Sequence, residues 1–284
     1  MLDSLLSRRV FLSDLGRGAA AVAIVGLAGC VPAGPTSSPS RTGSGIPGSP
    51  TGTDSPSGGS QTAGTEPSPS SDIAGPSGDA NAGNGNGAPG GALWNRVNLG
   101  FVSAYILVRD GEGVIIDTGV AGSEHAIEDV MTALSLGWSD VGNIILTHRH
   151  PDHAGSIEAL LAAAPDAAAW IGAADLAAVK TSRPLAPLAD GDDVFGLTIV
   201  ATPGHTPGHI SVYDEVGGIL VAGDAVGTVG GPLAGSNPQF TADATAARAS
   251  VIKLGKLAFE TLLVGHGEPI FHGAAAQVAA LGGH

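Results

Sequence analysis

From residue 92 onward, short apolar runs alternate with stretches whose apolar residues recur at intervals of three and four. The first pattern predicts buried strands and the second helices lying on a core. Residues 101–108 and 113–117 read as two strands joined by the turn Asp110-Gly111-Glu112-Gly113. Ile127, Val130, Met131 and Leu134 share one helix face, with Ser123 as its cap and Gly137 as its stop. A buried strand follows at 143–146, and then a helix, opened by Asp152 and His153, that carries Ile157, Leu160, Leu161 and Ala164. Further strands are expected at 167–171, 197–201, 219–222 and 262–264, with another beginning at His209. A short helix is expected at 173–180, an acidic surface turn at 189–192 and a Gly/Pro-rich loop at 226–240. Thr241 is the expected cap of a helix with Ala244, Ala247, Val251 and Leu254 inward and Lys253 and Lys256 near its negative end. Strands alternating with helices in this way give a layered α/β domain.

Before residue 92 the pattern disappears. Residues 1–30 read as a targeting segment, in which Ser7-Arg8-Arg9-Val10-Phe11-Leu12 resembles a twin-arginine export signal. Its apolar run, 18–30, is too short for a membrane of about 30 Å of hydrocarbon. The run ends in Leu27-Ala28-Gly29-Cys30, which resembles a lipobox, so Cys30 is the expected lipid-bearing residue and membrane attachment its consequence. Residues 31–91 are Gly, Ser, Pro, Thr and Asn with almost no large aliphatics, too little apolar surface to offset chain entropy. They read as a disordered tether with a reach of roughly 45 Å. Residues 92–284 are the folding domain. Cys30 is the only cysteine, so the domain has no thiol for a disulfide or a metal. The chain carries −14, and from residue 92 onward 8 basic against 20 acidic residues leave −12. A surface of that sign repels polyanions, and no nucleic-acid partner is expected.

The chemistry concentrates in Thr147-His148-Arg149-His150-Pro151-Asp152-His153-Ala154-Gly155. Residues two apart on an extended segment face one side, so His148 and His150 can grip one ion while Arg149 points elsewhere. Asp152 and His153 sit one step aside, placed for a second. Downstream, Thr202-Pro203-Gly204-His205-Thr206-Pro207-Gly208-His209 is stiffened by two prolines and two glycines. The strand at 219–222 runs into Gly223-Asp224-Ala225, where a carboxylate at the end of a buried strand is costly unless it is paired or binds a metal. Gly265-His266-Gly267 ends the last strand, and Ile116-Asp117-Thr118-Gly119 the second. His125, His272 and His284 lack comparable surroundings and read as solvated.

These motifs, in this order over about residues 92–284, resemble those of the metallo-β-lactamase superfamily of metal-dependent hydrolases. The resemblance implies a four-layer αββα sandwich with two metals at one edge of its paired sheets. It implies that His148, His150 and His205 hold one ion, that Asp152, His153 and His266 hold the other, and that Asp224 bridges them. Asp117 and His209 are then orienting residues, not ligands. Asp152 doubles as the expected proton acceptor, and a hydroxide shared by the two ions is the expected nucleophile. Redox-active di-iron members generally carry Glu where this chain has His150, so zinc is favoured, with iron or manganese as alternatives. The expected reaction is hydrolysis of a small ester, thioester or lactone. β-Lactam hydrolysis is an alternative, weakened because zinc β-lactamases generally have Cys or Ser near Asp224. A persulfide dioxygenase with a single iron and a surface lipoprotein that binds metal without turnover also stay open. Only 18 residues follow His266, so the helical glutathione-binding extension of glyoxalase II is not expected.

Overall fold

A computed structural model describes residues 92–283. The expected targeting segment with Cys30, the expected tether, and His284 lie outside the described residues. The first sheet runs in the order β1 (Leu93–Asn98), β2 (Ser103–Arg109), β3 (Glu112–Ile116), β4 (Val141–Leu146), β5 (Ala168–Gly172) and β6 (Ala186–Leu188). β1 to β3 form an antiparallel meander, and β3 to β6 are parallel. The second sheet contains β7 (Asp193–Val194), β8 (Leu197–Ala201), β9 (Ile210–Asp214), β10 (Ile219–Gly223) and, after a small hairpin of β11 (Val226–Gly227) and β12 (Ala234–Gly235), β13 (Thr261–Val264). Its order is β13-β10-β9-β8-β7, antiparallel except for the β10–β13 pair.

Side-chain alternation divides the interior into three cores, hence four layers. Ile106, Ile115, Ile144 and Leu146 face outward from the first sheet onto Ile127 and Met131 of α1 (Glu124–Ala133) and Ile157, Leu160 and Leu161 of α3 (Ile157–Ala163). The residues between them in sequence, Tyr105, Leu107, Val114, Ile116 and Ile145, meet Leu197, Ile199, Ile210, Val212, Val221 and Leu263 between the sheets. Leu220, Ala222, Leu262 and Val264 turn the other way, onto Val251 and Leu254 of α4 (Ala244–Leu254) and Ala274 and Val278 of α5 (Ala274–Gly282). Strands covered on both faces read as unbroken apolar runs, which is why most were visible in the sequence. Among the described residues, no helix is long and apolar enough to cross a membrane.

Several local expectations give way to tertiary contacts. The helix expected to start at Asp152 is interrupted: α2 (Pro151–Ala154) ends before α3 begins. The carbonyl of His153, which would accept a helical bond, instead accepts Thr118 N–H at 2.7 Å and Thr118 Oγ1–H at 3.0 Å. Ser123 occupies the cap position of α1 but makes no side-chain cap bond. That helix ends at Leu134 and Ser135, the latter in a left-handed conformation, so Gly137 is not its stop. The cap of α4 is Asp243 and not Thr241: its Oδ1 accepts Thr245 N–H and Ala246 N–H, both at 2.9 Å. The helix expected at 173–180 is only a 3-10 turn, Leu176–Ala178. β1, β6, β7 and α5 were not anticipated, and the 226–240 loop contains the β11–β12 hairpin.

Candidate metal centre

Because β3 and β4 are parallel, Asp117 and His148 leave the first sheet at the same edge, and parallel β10 and β13 likewise deliver Asp224 and His266. Backbone bonds hold the two edges together there, with Ile210 N–H on Thr147 O and Ser103 N–H on Gly265 O, each 2.9 Å. His205 joins from the β8–β9 loop, where Gly204 adopts a φ of +138° that other residues avoid.

Three sets of donor atoms each fall within 4.8 Å: His148, His150 and His205; Asp152, His153 and His266; and His148, His153 and Asp224. His150 Nδ1 lies 3.1 Å from His148 Nε2 and 2.9 Å from His205 Nε2. His153 Nε2 and His266 Nε2 are 3.4 Å apart, and Asp152 Oδ2 is 3.2 Å from the latter. Asp224 stands between the sets, its Oδ1 3.2 Å from His153 Nε2 and its Oδ2 3.3 Å from both His205 Nε2 and His266 Nε2. Gly265 leaves room for this carboxylate: a Cβ there would come within 2.3 Å of Asp224 Oδ1.

Hydrogen bonding on the far side of four of the rings fixes which nitrogen faces the centre. Asp117 accepts Thr147 N–H at 2.7 Å, Thr147 Oγ1–H at 2.8 Å and His153 Nδ1–H at 2.8 Å. Thr147 Oγ1, its proton spent, accepts His148 Nδ1–H at 3.1 Å, so one carboxylate orients a ring of each histidine set. Asp117 holds a φ of +63° in doing so, a left-handed strain found where the surroundings over-determine a conformation. On the other loop Thr241 Oγ1–H donates to Asn237 O, Ser236 Oγ–H to Thr241 Oγ1, and His205 Nδ1–H to Ser236 Oγ. His266 Nδ1–H donates to Phe101 O at 2.6 Å. Each of these four rings therefore turns Nε2 inward.

His209 differs. Its Nε2 accepts Asp224 N–H at 3.0 Å, and its Nδ1–H donates to Thr202 Oγ1 at 2.8 Å. Both nitrogens serve the protein, so this ring holds the backbone of Asp224 and has no lone pair for an ion. His125 and His272 are exposed and outside the cluster.

The electrostatics divide along the same line. Burial lowers His148 well below the ordinary imidazole value, and lowers His150, His205 (to about 4) and His209 (to about 3). These rings are neutral at pH 7. Burial would also lower His153, but Asp117 and Asp224 outweigh it and raise this ring well above its usual value. Hydrogen bonds to Asp152 and Asp224 raise His266 to about 10, and the His266 bond lowers Asp152 in return. Burial would raise Asp224, yet the charge of His153, 3.2 Å away, holds it well below the carboxylate range. The residues fit a divalent cation: neutral imidazoles aim lone pairs at one another, and buried Asp224 Oδ1 has no hydrogen-bond partner.

Residues 97–266 match the sequence profile of the Metallo-beta-lactamase superfamily, well over half of the chain. The chain belongs to this superfamily. Its two mixed sheets between helical layers are that superfamily's fold. A Bacillus subtilis (strain 168) protein named "Probable metallo-hydrolase YflN" is 32% identical over 202 residues, 55% of this chain and 76% of that protein. A hydroxyacylglutathione hydrolase of Hahella chejuensis (strain KCTC 2396) is 30% identical over 159 residues, 54% of this chain but only 56% of its own length. Among solved structures, TTHA1623 in a di-iron-bound form superposes with a TM-score of 0.52 at 27% identity, covering 62% of this chain and 93% of that one. With this membership and its His/Asp metal-binding cluster, the protein is a metallo-hydrolase of the superfamily.

Asp175 and Ser236, which buttress the ligand loops, were not singled out from the sequence. Asp175 lies 26 and 31 positions from the two loops it supports and Ser236 lies 31 from its own, and no local pattern marks such distances.

Proposed function

We propose that the domain hydrolyses a small neutral or weakly charged ester, thioester or lactone with two zinc ions. His148, His150 and His205 would hold one ion and Asp152, His153 and His266 the other, with Asp224 lying between the two sets. Ions bound there supply Lewis acidity and a water whose pKa falls to about 7. The chain's own residues do the rest. The Asp117–Thr147 and Ser236–Thr241 relays keep the ligand rings in one tautomer, so no reorganisation is needed during reaction. His148, His153 and His205 are buried, whereas His150, Asp152 and His266 are partly exposed, which leaves that side for substrate. Asp152 is anionic and on this open side, placed to accept a proton.

The observation that carries the substrate class is what borders the open side. Phe101, 61% exposed, stacks beside His266 with ring centroids 6.2 Å apart. The cations nearby are already taken: Arg149 by Asp175 at 3.3 Å, and Arg96 by Glu268 at 2.7 Å. An apolar border with neutralised cations favours an uncharged carbonyl compound over a polyphosphate. The relative named as a hydroxyacylglutathione hydrolase supports cleavage at an acyl centre, and the di-iron-bound neighbour makes iron the alternative metal. The test compares turnover of the zinc-loaded full-length chain on esters, thioesters, lactones and β-lactams with cleavage of single-stranded RNA and DNA at equal ionic strength. Polymer cleavage outpacing every carbonyl substrate contradicts the proposal. We further propose twin-arginine export and anchoring at the outer face of the cytoplasmic membrane through lipidated Cys30, with 31–91 as tether and 92–284 as catalytic domain. The two motifs of the first thirty residues support this.

A further inference from the structure

Asp175 is a fully buried carboxylate that belongs to neither ligand set. It lies just past β5, its N–H donating to Gly172 O at 2.9 Å. Its oxygens accept four hydrogen bonds from two loops. Arg149 donates through its backbone N–H at 3.1 Å and its guanidinium at 3.3 Å. From the opposite loop, Thr206 Oγ1–H donates at 2.6 Å and Gly208 N–H at 3.0 Å. Arg149 is flanked by His148 and His150, and Thr206 directly follows His205.

We propose that Asp175 is a positioning residue of the metal centre: it clamps the loop bearing His148 and His150 to the loop bearing His205, fixing the convergence of the three rings. The inference rests on the ligand assignment above. It accounts for Gly208, where a Cβ would come within 2.3 Å of Asp175 N and 2.8 Å of its Cγ, so only glycine lets the backbone reach the carboxylate. It accounts also for Arg149, a fixed positive charge between two ligands that would repel a divalent cation if it were unpaired.

Cobalt(II) titration of the metal-stripped full-length chain, followed by absorption of the bound ion, tests this with Asp175→Asn. Orienting groups of this kind are typically worth about 10- to 100-fold in metal affinity. A loss of that size is expected at one of two cobalt sites, with an altered spectrum there, the second site unchanged, and kcat lowered more than KM is raised. A folded Asp175→Asn that binds both ions as tightly as wild type overturns the proposal, whether or not its metal-free form is less stable. Should Asp175→Asn not fold, Thr206→Val removes one of the four bonds, and a several-fold loss at the same site is expected. Wild-type affinity in that variant overturns the proposal equally. A wild-type chain that takes up no cobalt overturns the ligand assignment and this inference together.

Discussion

Replacing His209 by alanine separates holding the site from binding the metal. The ring is buried at 1% exposure and bridges Asp224 N–H and Thr202 Oγ1. Alanine strands the Asp224 N–H, at a cost of about 1–3 kcal/mol. The space left by the ring adds a cavity penalty, and we expect about 3 kcal/mol in all. For a domain of this size that lowers Tm by about 6–12 °C, at about 2–4 °C per kcal/mol. Metal content should nevertheless stay nearly unchanged, because neither nitrogen is available to an ion. Thermal unfolding of the metal-stripped protein combined with metal counting by mass spectrometry checks both parts. An unchanged Tm with one ion fewer per chain would refute the reasoning and make His209 a ligand.

Other expectations follow from the same geometry. Asp224→Ala should lower metal content and activity together, whereas His125→Ala, at an exposed position, should change neither; full occupancy in Asp224→Ala removes its bridging role. In the metal-free protein, folded-state depression of His205 and His209 gives stability that is present above the unfolded value of about 6.5 and lost as pH falls toward the folded values of about 4 and about 3. Elevation of His153 and His266 works the other way, giving stability present below about 6.5 and lost as pH rises toward the His266 value of about 10. Urea titrations of stripped protein should therefore show a maximum near neutrality, and a flat profile from pH 5 to 9 contradicts this. Arg8→Lys with Arg9→Lys should retain the precursor inside the cell and Cys30→Ala should block lipid attachment, both read by fractionation; surface display of the double-lysine variant refutes the export route.

The legible parts of the chain were those whose environment repeats along the sequence. Strands β2 to β5, β8, β10 and β13 are apolar on both faces and stood out as runs. β1 did not, because it is an edge strand, Leu-Trp-Asn-Arg-Val-Asn, with only Val97 buried. β7, β11 and β12 have two residues each, too few for any period, and α5 is mostly alanine, which signals helix without a strong face. The break between α2 and α3 depends on Thr118, more than thirty positions upstream of the carbonyl it captures. At the site the ligand candidates were visible because metal chemistry demands particular residue types at strand ends. Of their supports, Asp117 and His209 lie inside the same motifs and were legible with them, whereas Asp175, Ser236 and the Phe101 carbonyl are chosen by where the chain passes, and any of many residues could have filled those places.

The most direct test is a metal-restoration experiment on the full-length chain. Chelation should abolish turnover of the best ester, thioester or lactone substrate, and stepwise zinc addition should restore it as occupancy approaches two ions per chain. Turnover that survives removal of all metal, or saturates fully at one ion, would contradict a two-ion hydrolase built on His148, His150, His205, Asp152, His153, His266 and Asp224.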